Sequence, residues 1–334
     1  MAARLEGIFE AIAAPAAGTD EKPVYSVLPV PGYQSYFIGK DWGGYACLLV
    51  SGDGSGNRFQ SPIRLENLDA QFELRCHLRR NGEDDRVGSF TVVRCRVLDA
   101  ETVRYFLSVC DIVMGMVGDN PKQRELASAI HRLAAIFQRM QKPAARSVNG
   151  LFGELYFIRS SSRPSKAVAA WRIDDTGRFD FSDGDVRIDV KVTSGRLRSH
   201  VFSYDQCNPP PSTIAVVASL FVEQAQHGST LRNLLLEIEA AIAPFPDLVL
   251  KLHEVVSATL GASMSEALAT SFDMRLAETT VRYFGLRDIP ALRGNLPPGV
   301  SAVHFTSDLS AHQPLSISHL SALDPLFQDL LPED

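Results

Sequence analysis

Residues 178–193 read RFDFSDGDVRIDVKVT, and they carry the strongest structural signal in the second half of the chain. An Asp-Gly pair between alternating apolar residues predicts a β-hairpin with Asp183 and Gly184 as its two loop residues. That loop places Asp180 opposite Arg187 on the neighbouring strand. The stretch therefore predicts two short antiparallel strands joined by a tight turn.

The second predicted strand has an apolar face and a polar face, because successive side chains point to opposite sides of a sheet. Asp189, Lys191 and Thr193 share the polar face. The pairing puts Asp180 on the same face, diagonal to Asp189 and within reach of a common ion. Mg²⁺ prefers carboxylate and water oxygens, and a lysine beside it can orient a water or neutralise phosphoryl charge. The pattern predicts a metal site suited to phosphodiester hydrolysis.

An acidic residue upstream, Glu154, falls on the apolar side of a predicted helix. Ser147 is the expected N-cap, and residues 148–158 carry apolar residues at helical spacing. A carboxylate on the core side of a helix is costly unless a shared metal or a hydrogen-bond donor compensates it. We expect Gly150 and Gly153 to let a strand approach this helix closely.

These residues, taken in order, resemble the PD-(D/E)XK nuclease superfamily, which has the restriction-endonuclease-like fold. The resemblance lies in GLFGE at 150–154, FDF at 179–181 and IDVK at 188–191. More narrowly, the chain resembles a bacterial branch of PD-(D/E)XK family members associated with restriction and phage-defence gene clusters. That branch has a following His and Gln, which His200 and Gln206 match, and the resemblance covers most of the chain.

The resemblance implies a role for each matching residue. Asp180 takes the place of the first acid, Asp189 and Lys191 are the acid and lysine of the motif, and Glu154 is the helical acid and a third metal ligand. Gln206 is a later polar position that contacts metal-bound water or DNA. The implied cofactor is Mg²⁺, for which Mn²⁺ can substitute, and the implied activity is cleavage of DNA.

The chain departs from the family pattern at three positions. Phe179 replaces the nominal proline, Arg178 stands where the branch has histidine, and Cys207 stands where leucine is usual. None of these changes removes a metal ligand, although Arg178 could alter the charge balance near Asp180.

Four residues after the hairpin are candidates for substrate binding: Thr193, Arg196, Arg198 and His200. Arg196 and Arg198 are best placed to hold phosphates. Simpler readings stay open for the individual residues. An acid-x-Lys pattern on a strand is usually structural when it occurs alone, Glu154 could pair with a distant arginine, and His200 and Gln206 could be ordinary polar residues.

The composition is that of a globular protein with room for two domains. The chain has 334 residues, of which 45% are hydrophobic and 22% charged. A net charge of −6 argues against strong sequence-independent DNA binding by the isolated chain. The five cysteines lack the paired spacing of a zinc site, so we expect free thiols. A secretory signal and a long apolar run are both missing from the sequence, and we expect a cytoplasmic protein that does not contact membranes.

The predicted fold is a mixture of α+β and α/β architecture in two domains. Residues 1–145 form a β-rich N-terminal domain, with strands at 25–30, 35–38, 45–50, 71–78 and 89–97 and then two helices, and this domain is a candidate for contacting a partner or DNA. Residues 146–334 form a nuclease-like domain with a C-terminal α/β extension. Its αβββαβ core has a mixed central sheet, followed by a helix near 250–260 and strands near 274–284 and 300–306.

Three functions compete at this point. The first is a Mg²⁺-dependent DNA endonuclease of a bacterial restriction or phage-defence system. Its partners would be DNA and other defence proteins such as methyltransferase or ATPase subunits, and it could act as a homodimer. The second is a catalytically silent subunit that keeps the fold and binds other defence components. A plain DNA-binding module is the weakest reading, because the sequence lacks a recognition helix with clustered basic residues.

Overall fold

The structure is a computed structural model that describes residues 2–16, 23–52, 60–80, 85–172 and 177–332. The chain packs as two compact units. The first comprises Met1–Pro143 with Gly261–Ser265, and the second comprises Ala144–Leu260 with Glu266–Asp334. Because residues 261–265 belong to the first unit, the two units cannot be separated at a single point in the sequence. The predicted domains 1–145 and 146–334 stay a prediction.

The first unit is built on a sheet that closes on itself. Its strands are ordered β1-β2-β3-β6-β5-β4, and an additional parallel pairing of β1 with β5 joins the two sides. Tyr25, Phe37 and Phe90 are among the buried side chains inside it. The elements of this unit are α1 (Ala2–Glu10), β1 (Val24–Pro29), β2 (Tyr36–Lys40), β3 (Ala46–Ser51), β4 (Ile63–Arg64), β5 (Leu68–Arg79), β6 (Arg86–Cys95), α2 (Ala100–Val117) and α3 (Gln123–Arg139).

Each of the five strands predicted for the first half overlaps an observed strand, and the two predicted helices are α2 and α3. Asp99 caps α2, since its side chain accepts a hydrogen bond from the backbone N–H of Thr102. The two-residue strand β4 was not predicted, because a pair this short carries no alternation pattern.

From residue 148 onward the chain contains both helices and strands, often in pairs or groups of three of one kind. The elements are α4 (Val148–Ser160), α5 (Pro164–Ala170), β7 (Phe181–Asp183), β8 (Val186–Thr193), β9 (Ser199–Ser203), α6 (Tyr204–Cys207), β10 (Ile214–Phe221), β11 (Gln224–Thr230), α7 (Leu231–Ile242), α8 (Pro246–Leu260), α9 (Met264–Ala269), β12 (Ser271–Phe272), α10 (Met274–Thr280), β13 (Arg282–Gly285), β14 (His304–Asp308), α11 (Ile317–Leu323) and α12 (Leu326–Leu330).

The main sheet of the second unit is mixed, as expected. Its order is β13-β10-β8-β7, with β8 parallel to β10 and the two outer strands antiparallel to their neighbours. The third strand of the expected core, β9, instead pairs with β14 in a separate two-stranded sheet. The structure is thus a mixed α/β arrangement consistent with a PD-(D/E)XK-like fold.

Helix α4 packs against β8 at a glycine. A Cβ atom on Gly153 would lie 2.3 Å from Cγ1 of Val192 and 3.3 Å from Cγ1 of Val190. The expected close approach is therefore confirmed at Gly153. It is wrong for Gly150, where among the described residues a Cβ would meet just Oγ of Ser147, the N-cap of its own helix.

The hairpin forms, but its register differs from the prediction by two residues. Asp183 pairs with Val186 and Ser182 with Arg187, so the loop consists of Gly184 and Asp185. Gly184 has φ +49° and Asp185 is not in the positive-φ region. A positive φ at the first loop position alone is typical of a type II′ turn, for which glycine at that position is favoured, whereas an Asp-Gly loop is typical of a type I′ turn.

Two later predictions are also corrected. The segment predicted as a strand at 274–284 is a helix, α10, followed by β13. The helix begins there because the side chain of Asp273 accepts a hydrogen bond from the N–H of Leu276 and caps it. The last predicted strand, at 300–306, begins only at His304. Among the helices that the structure describes, none has the length and apolarity needed to cross a bilayer.

Candidate active site

An open cavity of about 670 Å³ in the second unit brings most of the predicted site residues together. Glu154 reaches it from α4, and Asp180 from the residue just before β7. Asp189 and Lys191 reach it from β8. The predicted residues that line this cavity are Glu154, Asp180, Asp189, Lys191, His200 and Gln206.

Asp180 is tied to the neighbouring strand through its side chain. Its Oδ2 accepts a hydrogen bond of 2.9 Å from the backbone N–H of Val190, and its Oδ1 accepts one of 3.0 Å from Nη1 of Arg146. The carboxylate is buried, with 6% of the residue exposed. The backbone bond holds Asp180 beside the motif strand, although the hairpin ladder itself starts one residue later.

Asp189 and Lys191 form an ion pair within the cavity. Nζ of Lys191 lies 2.9 Å from Oδ2 of Asp189, and Nε2 of Gln206 donates a 3.1 Å hydrogen bond to Oδ1. Oδ2 is buried, and its contact with the ammonium group of Lys191 is at the distance of a charge-assisted hydrogen bond. Burial lowers the pKa of Lys191, but the charge and hydrogen bond of Asp189 together with the charge of Asp180 outweigh it, and the net effect raises that pKa. The lysine is therefore an ammonium ion.

Gln206 is held in place by the short helix it belongs to. Its Oε1 accepts a hydrogen bond from the N–H of Ser203, while Ser203 in turn caps the backbone of Gln206, a reciprocal capping box. Its Nε2 also donates to the carbonyl of Arg178. Gln206 thus orients the Asp189 carboxylate.

Glu154 is compensated by two donors from the segment after α5. Nε1 of Trp171 donates to its Oε2 and Nη2 of Arg172 to its Oε1, each at 2.6 Å. Arg172 lies in the left-handed region, with φ +42°, and its N–H donates to the carbonyl of Asp180. Of the two expected forms of compensation, a metal or a donor, the structure contains the donors. The role of Glu154 as a third metal ligand stays a prediction.

Glu154, Asp180 and Asp189 form an acid cluster, and its negative charges are balanced by neighbouring cations without any further ion. Three carboxylates, of Glu154, Asp180 and Asp189, face three cations, of Arg146, Arg172 and Lys191. Burial and then the nearby Asp180 raise the pKa of Glu154. Burial also raises the pKa of Asp189, against the lowering effect of Lys191. The acids are therefore held at an electrostatic cost that a cation lowers.

The donor set fits a hard divalent cation held by two carboxylates. Asp180 and Asp189 line one cavity, and the buried Oδ2 of Asp189, which faces Lys191, has a second lone pair available to an ion. Mg²⁺ is commonly bound by one or two carboxylates and keeps several waters. A cluster of three or more metal-ligating side chains is not found among the described residues. Arg146, whose side chain is 45% exposed, is the cation that an incoming ion would displace from Asp180.

A family comparison agrees with this geometry. The family model described as "Putative PD-(D/E)XK family member, (DUF4420)" matches residues 5–310. The chain belongs to this family. The wider PD-(D/E)XK superfamily consists generally of nucleases, which typically use Mg²⁺. Comparisons with curated proteins and with solved structures give no significant match.

In this PD-(D/E)XK family member, three of the predicted substrate-binding residues are absent from the described lining of the cavity: Thr193, Arg196 and Arg198. Thr193 ends β8, and its Oγ1 accepts a hydrogen bond from the N–H of Gly195. Arg196 is exposed. The guanidinium of Arg198 donates to the carbonyl and hydroxyl oxygens of Ser219 and to the carbonyl of Thr280, so it is engaged within the protein.

Four residues of the site were not predicted from the sequence: Arg146, Trp171, Arg172 and Ser219. Arg146 directly precedes the N-cap Ser147, and that adjacency was the available signal for it. Trp171 and Arg172 lie 17 and 18 residues from their partner Glu154, and no local pattern connects them. Ser219 lies inside an apolar strand, where a lone hydroxyl could have indicated a buried hydrogen-bond partner.

Proposed function

We propose that this chain is a metal-dependent DNA endonuclease that acts in a bacterial restriction or phage-defence system. The observation that carries the proposal is the shared cavity of Asp180, Asp189 and Lys191. In it, two buried carboxylates, one from the residue before β7 and one from β8, line the same cavity as a protonated lysine. Family membership supports the nuclease-like fold.

Each residue of the site has its own proposed role in phosphodiester hydrolysis. Asp180 and Asp189 would hold Mg²⁺, or Mn²⁺ in its place, which when bound supplies Lewis-acid stabilisation of phosphoryl oxygens. Lys191 is an ammonium ion that stabilises negative charge on the phosphate or positions the attacking water by hydrogen bonding. Gln206 keeps the Asp189 carboxylate oriented through its hydrogen bond to Oδ1.

Glu154 contributes through the electrostatics of the cluster. Its two oxygens are occupied by Trp171 and Arg172, and Nη1 of Arg146 lies 3.7 Å from its Oε1. We propose that it keeps Arg172 and Arg146 close to the scissile phosphate, where their positive charges offset the negative charge of the DNA substrate.

The proposed partners follow from charge and family context. DNA is the substrate, and the net charge of −6 makes binding by the isolated chain weak. We therefore propose that other defence proteins, such as methyltransferase or ATPase subunits, or a second copy of this chain, bring it to DNA.

The test is cleavage of plasmid and phage DNA with Mg²⁺ or Mn²⁺ by the wild-type chain and by Asp189→Asn and Lys191→Ala. We expect nicking that disappears in both variants, because each removes a group at the reacting phosphate. Asp183→Asn is the matched control, since Asp183 lies on the same hairpin but outside this cavity. Equal cleavage by the wild type and Lys191→Ala would refute the assigned site.

A second function has a specific observation in its favour. Arg146 lies between Asp180 and Glu154, and the cluster is neutral without a metal. A chain that had lost catalysis could keep its acids in this way, as a silent scaffold that binds other defence proteins. Calorimetry separates the two functions, because a nuclease binds Mn²⁺ through Asp189, and a scaffold gives no heat of Mn²⁺ binding with either the wild type or Arg146→Ala.

A further inference from the structure

A buried chain of hydrogen bonds beside the acid cluster determines which ring nitrogen of His200 carries the proton. Nη1 of Arg198 donates to Oγ of Ser219 at 2.9 Å, and that same Oγ lies 2.7 Å from Nε2 of His200. Ser219 is fully buried and His200 is 4% exposed. A guanidinium can only donate, so the direction of the first hydrogen bond is certain.

The direction of the second hydrogen bond follows from the need to satisfy the serine hydroxyl. If Nε2 of His200 were the donor, the buried Ser219 O–H would point at no acceptor among the described residues. Such a group costs about 1–3 kcal/mol. If Ser219 is the donor, all of its groups are satisfied. Nε2 is then an acceptor, and the ring is neutral with its proton on Nδ1.

The surrounding charges favour the same neutral ring. Burial, followed by the positive charges of Lys191 and Arg198, lowers the pKa of His200 to about 4, against the opposing effect of Asp308. The ring therefore stays neutral through the physiological range, with one fixed N–H donor.

Because Nε2 of His200 is engaged by Ser219, the Nδ1–H group is the hydrogen-bond donor of the ring that can bind a ligand. His200 lines the cavity of the acid cluster, and no described residue accepts a hydrogen bond from Nδ1. Ser219, which holds the ring, is the register partner of Lys191 on the adjacent parallel strand. Through Ser219, the ring of His200 is therefore held by β10, the strand that pairs with the strand of Lys191.

We propose that His200 uses Nδ1–H to bind a non-bridging phosphate oxygen of the DNA substrate, with Ser219 and Arg198 as positioning residues that select this tautomer. The inference rests on the proposed nuclease function. It gives Arg198 a place in the site different from direct phosphate binding, because its guanidinium acts through Ser219. It also assigns a role to Ser219, which touches no substrate.

Two amide substitutions separate the two ring nitrogens. The amide nitrogen of Asn in His200→Asn overlaps the position of Nδ1 and keeps a donor there, whereas His200→Gln places its amide near Nε2, against Ser219. We expect His200→Asn to bind a short fluorescein-labelled DNA duplex in Ca²⁺ within about threefold of the wild type. We expect His200→Gln to bind it roughly tenfold or more weakly, since a charged hydrogen bond is lost.

The tautomer is read directly from ¹⁵N-histidine NMR spectra, which are tractable for the 8 histidines of the chain. We expect His200 as the Nδ1–H form in the wild type, and a mixture with the Nε2–H form in Ser219→Ala. A merely structural serine would leave the tautomer unchanged. Far-UV circular dichroism and the unfolding temperature check that each variant is folded.

The outcomes distinguish this inference from the proposed function. An Nε2–H tautomer in the wild type, or equal DNA affinity of His200→Asn and His200→Gln, overturns the role of Nδ1–H even if the chain cleaves DNA. Absence of DNA binding and cleavage by the wild type, with or without partner proteins, overturns the proposed function and the phosphate contact together. In that case the tautomer measurement still decides whether Ser219 and Arg198 position the ring.

Discussion

Arg146 is the residue whose side chain bears most directly on metal binding. Its guanidinium lies 3.0 Å from Oδ1 of Asp180, on the acid that would hold the ion. We predict that Arg146→Ala strengthens Mn²⁺ binding roughly tenfold, because a competing positive charge is removed from a buried ligand. Isothermal titration calorimetry measures this change without reference to catalysis.

A suitable control for Arg146 is another arginine of the same unit in a surface ion pair. Arg163 pairs with Asp329 at 3.1 Å, and its side chain is 65% exposed. Arg163→Ala should leave Mn²⁺ affinity unchanged. Unchanged or weaker Mn²⁺ binding by Arg146→Ala would mean that the arginine supports the ion rather than competing with it.

His200 should make the stability of the protein depend on acid. Its pKa is about 4 in the folded chain and 6.5 in an unfolded one, so between these values the unfolded state binds more protons. The stabilisation is complete above pH 6.5 and is lost as the pH falls toward 4. From pH 7.5 to pH 5 we expect His200 to account for a loss of about 2 kcal/mol in the free energy of unfolding.

The matched variant for this effect is His200→Asn, which has a similar shape and does not titrate. Urea unfolding at the two pH values should give a smaller acid-induced loss in His200→Asn than in the wild type. The charged groups near the ring, Lys191, Arg198 and Asp308, are the same in both proteins. An equal loss in the two proteins would show that the pKa of His200 is the same in the folded and the unfolded chain.

At the scale of elements, the packing of α4 on β8 depends on one missing side chain. A Cβ at Gly153 would come within 2.3 Å of Val192, a distance that forces the strand or the helix to move. We predict that Gly153→Ala destabilises the protein by about 1–2 kcal/mol, because overpacking outweighs the gain in helix propensity. It should also weaken Mn²⁺ binding, since α4 and β8 both carry site residues.

Gly115 provides the comparison for this substitution. It lies in the interior of α2 and is exposed, and among the described residues no atom outside its own helix backbone lies within 4 Å of the position that a Cβ would take. Gly115→Ala should raise the free energy of unfolding by about 0.5–1 kcal/mol, through helix propensity alone. Chemical denaturation of both variants tests the pair, and a stabilising Gly153→Ala would contradict the close contact.

At the scale of the whole molecule, a bound cation should stabilise the fold through mass action. With Mn²⁺ at a hundred times its Kd, the free energy of unfolding rises by about 2.7 kcal/mol. For a chain of this size the unfolding temperature should rise by about 4 °C. Differential scanning fluorimetry should record this rise for the wild type and for Asp183→Asn. Asp189→Asn should lose it, and a rise that persists there would place the ion elsewhere.

Local features could be predicted from the sequence because each depends on a few neighbouring residues. The N-caps Asp99 and Ser147, the strand of alternating residues at β8 and the hairpin before it were all predictable in this way. The register of the hairpin was not, because Gly184 can supply a positive φ at either loop position.

The order and type of the chemical groups can be read from the amino-acid sequence: the acids at 154, 180 and 189, the lysine at 191, and the family to which they belong. Which charges meet depends on the folded structure. Arg146 reaches Asp180 across 34 residues, Arg198 reaches Ser219 across 21, and β9 pairs with β14 rather than with the main sheet. These contacts join segments that are far apart in the sequence, and no local sequence pattern predicts them. The contacts depend on burial and on the path of the backbone between the two segments.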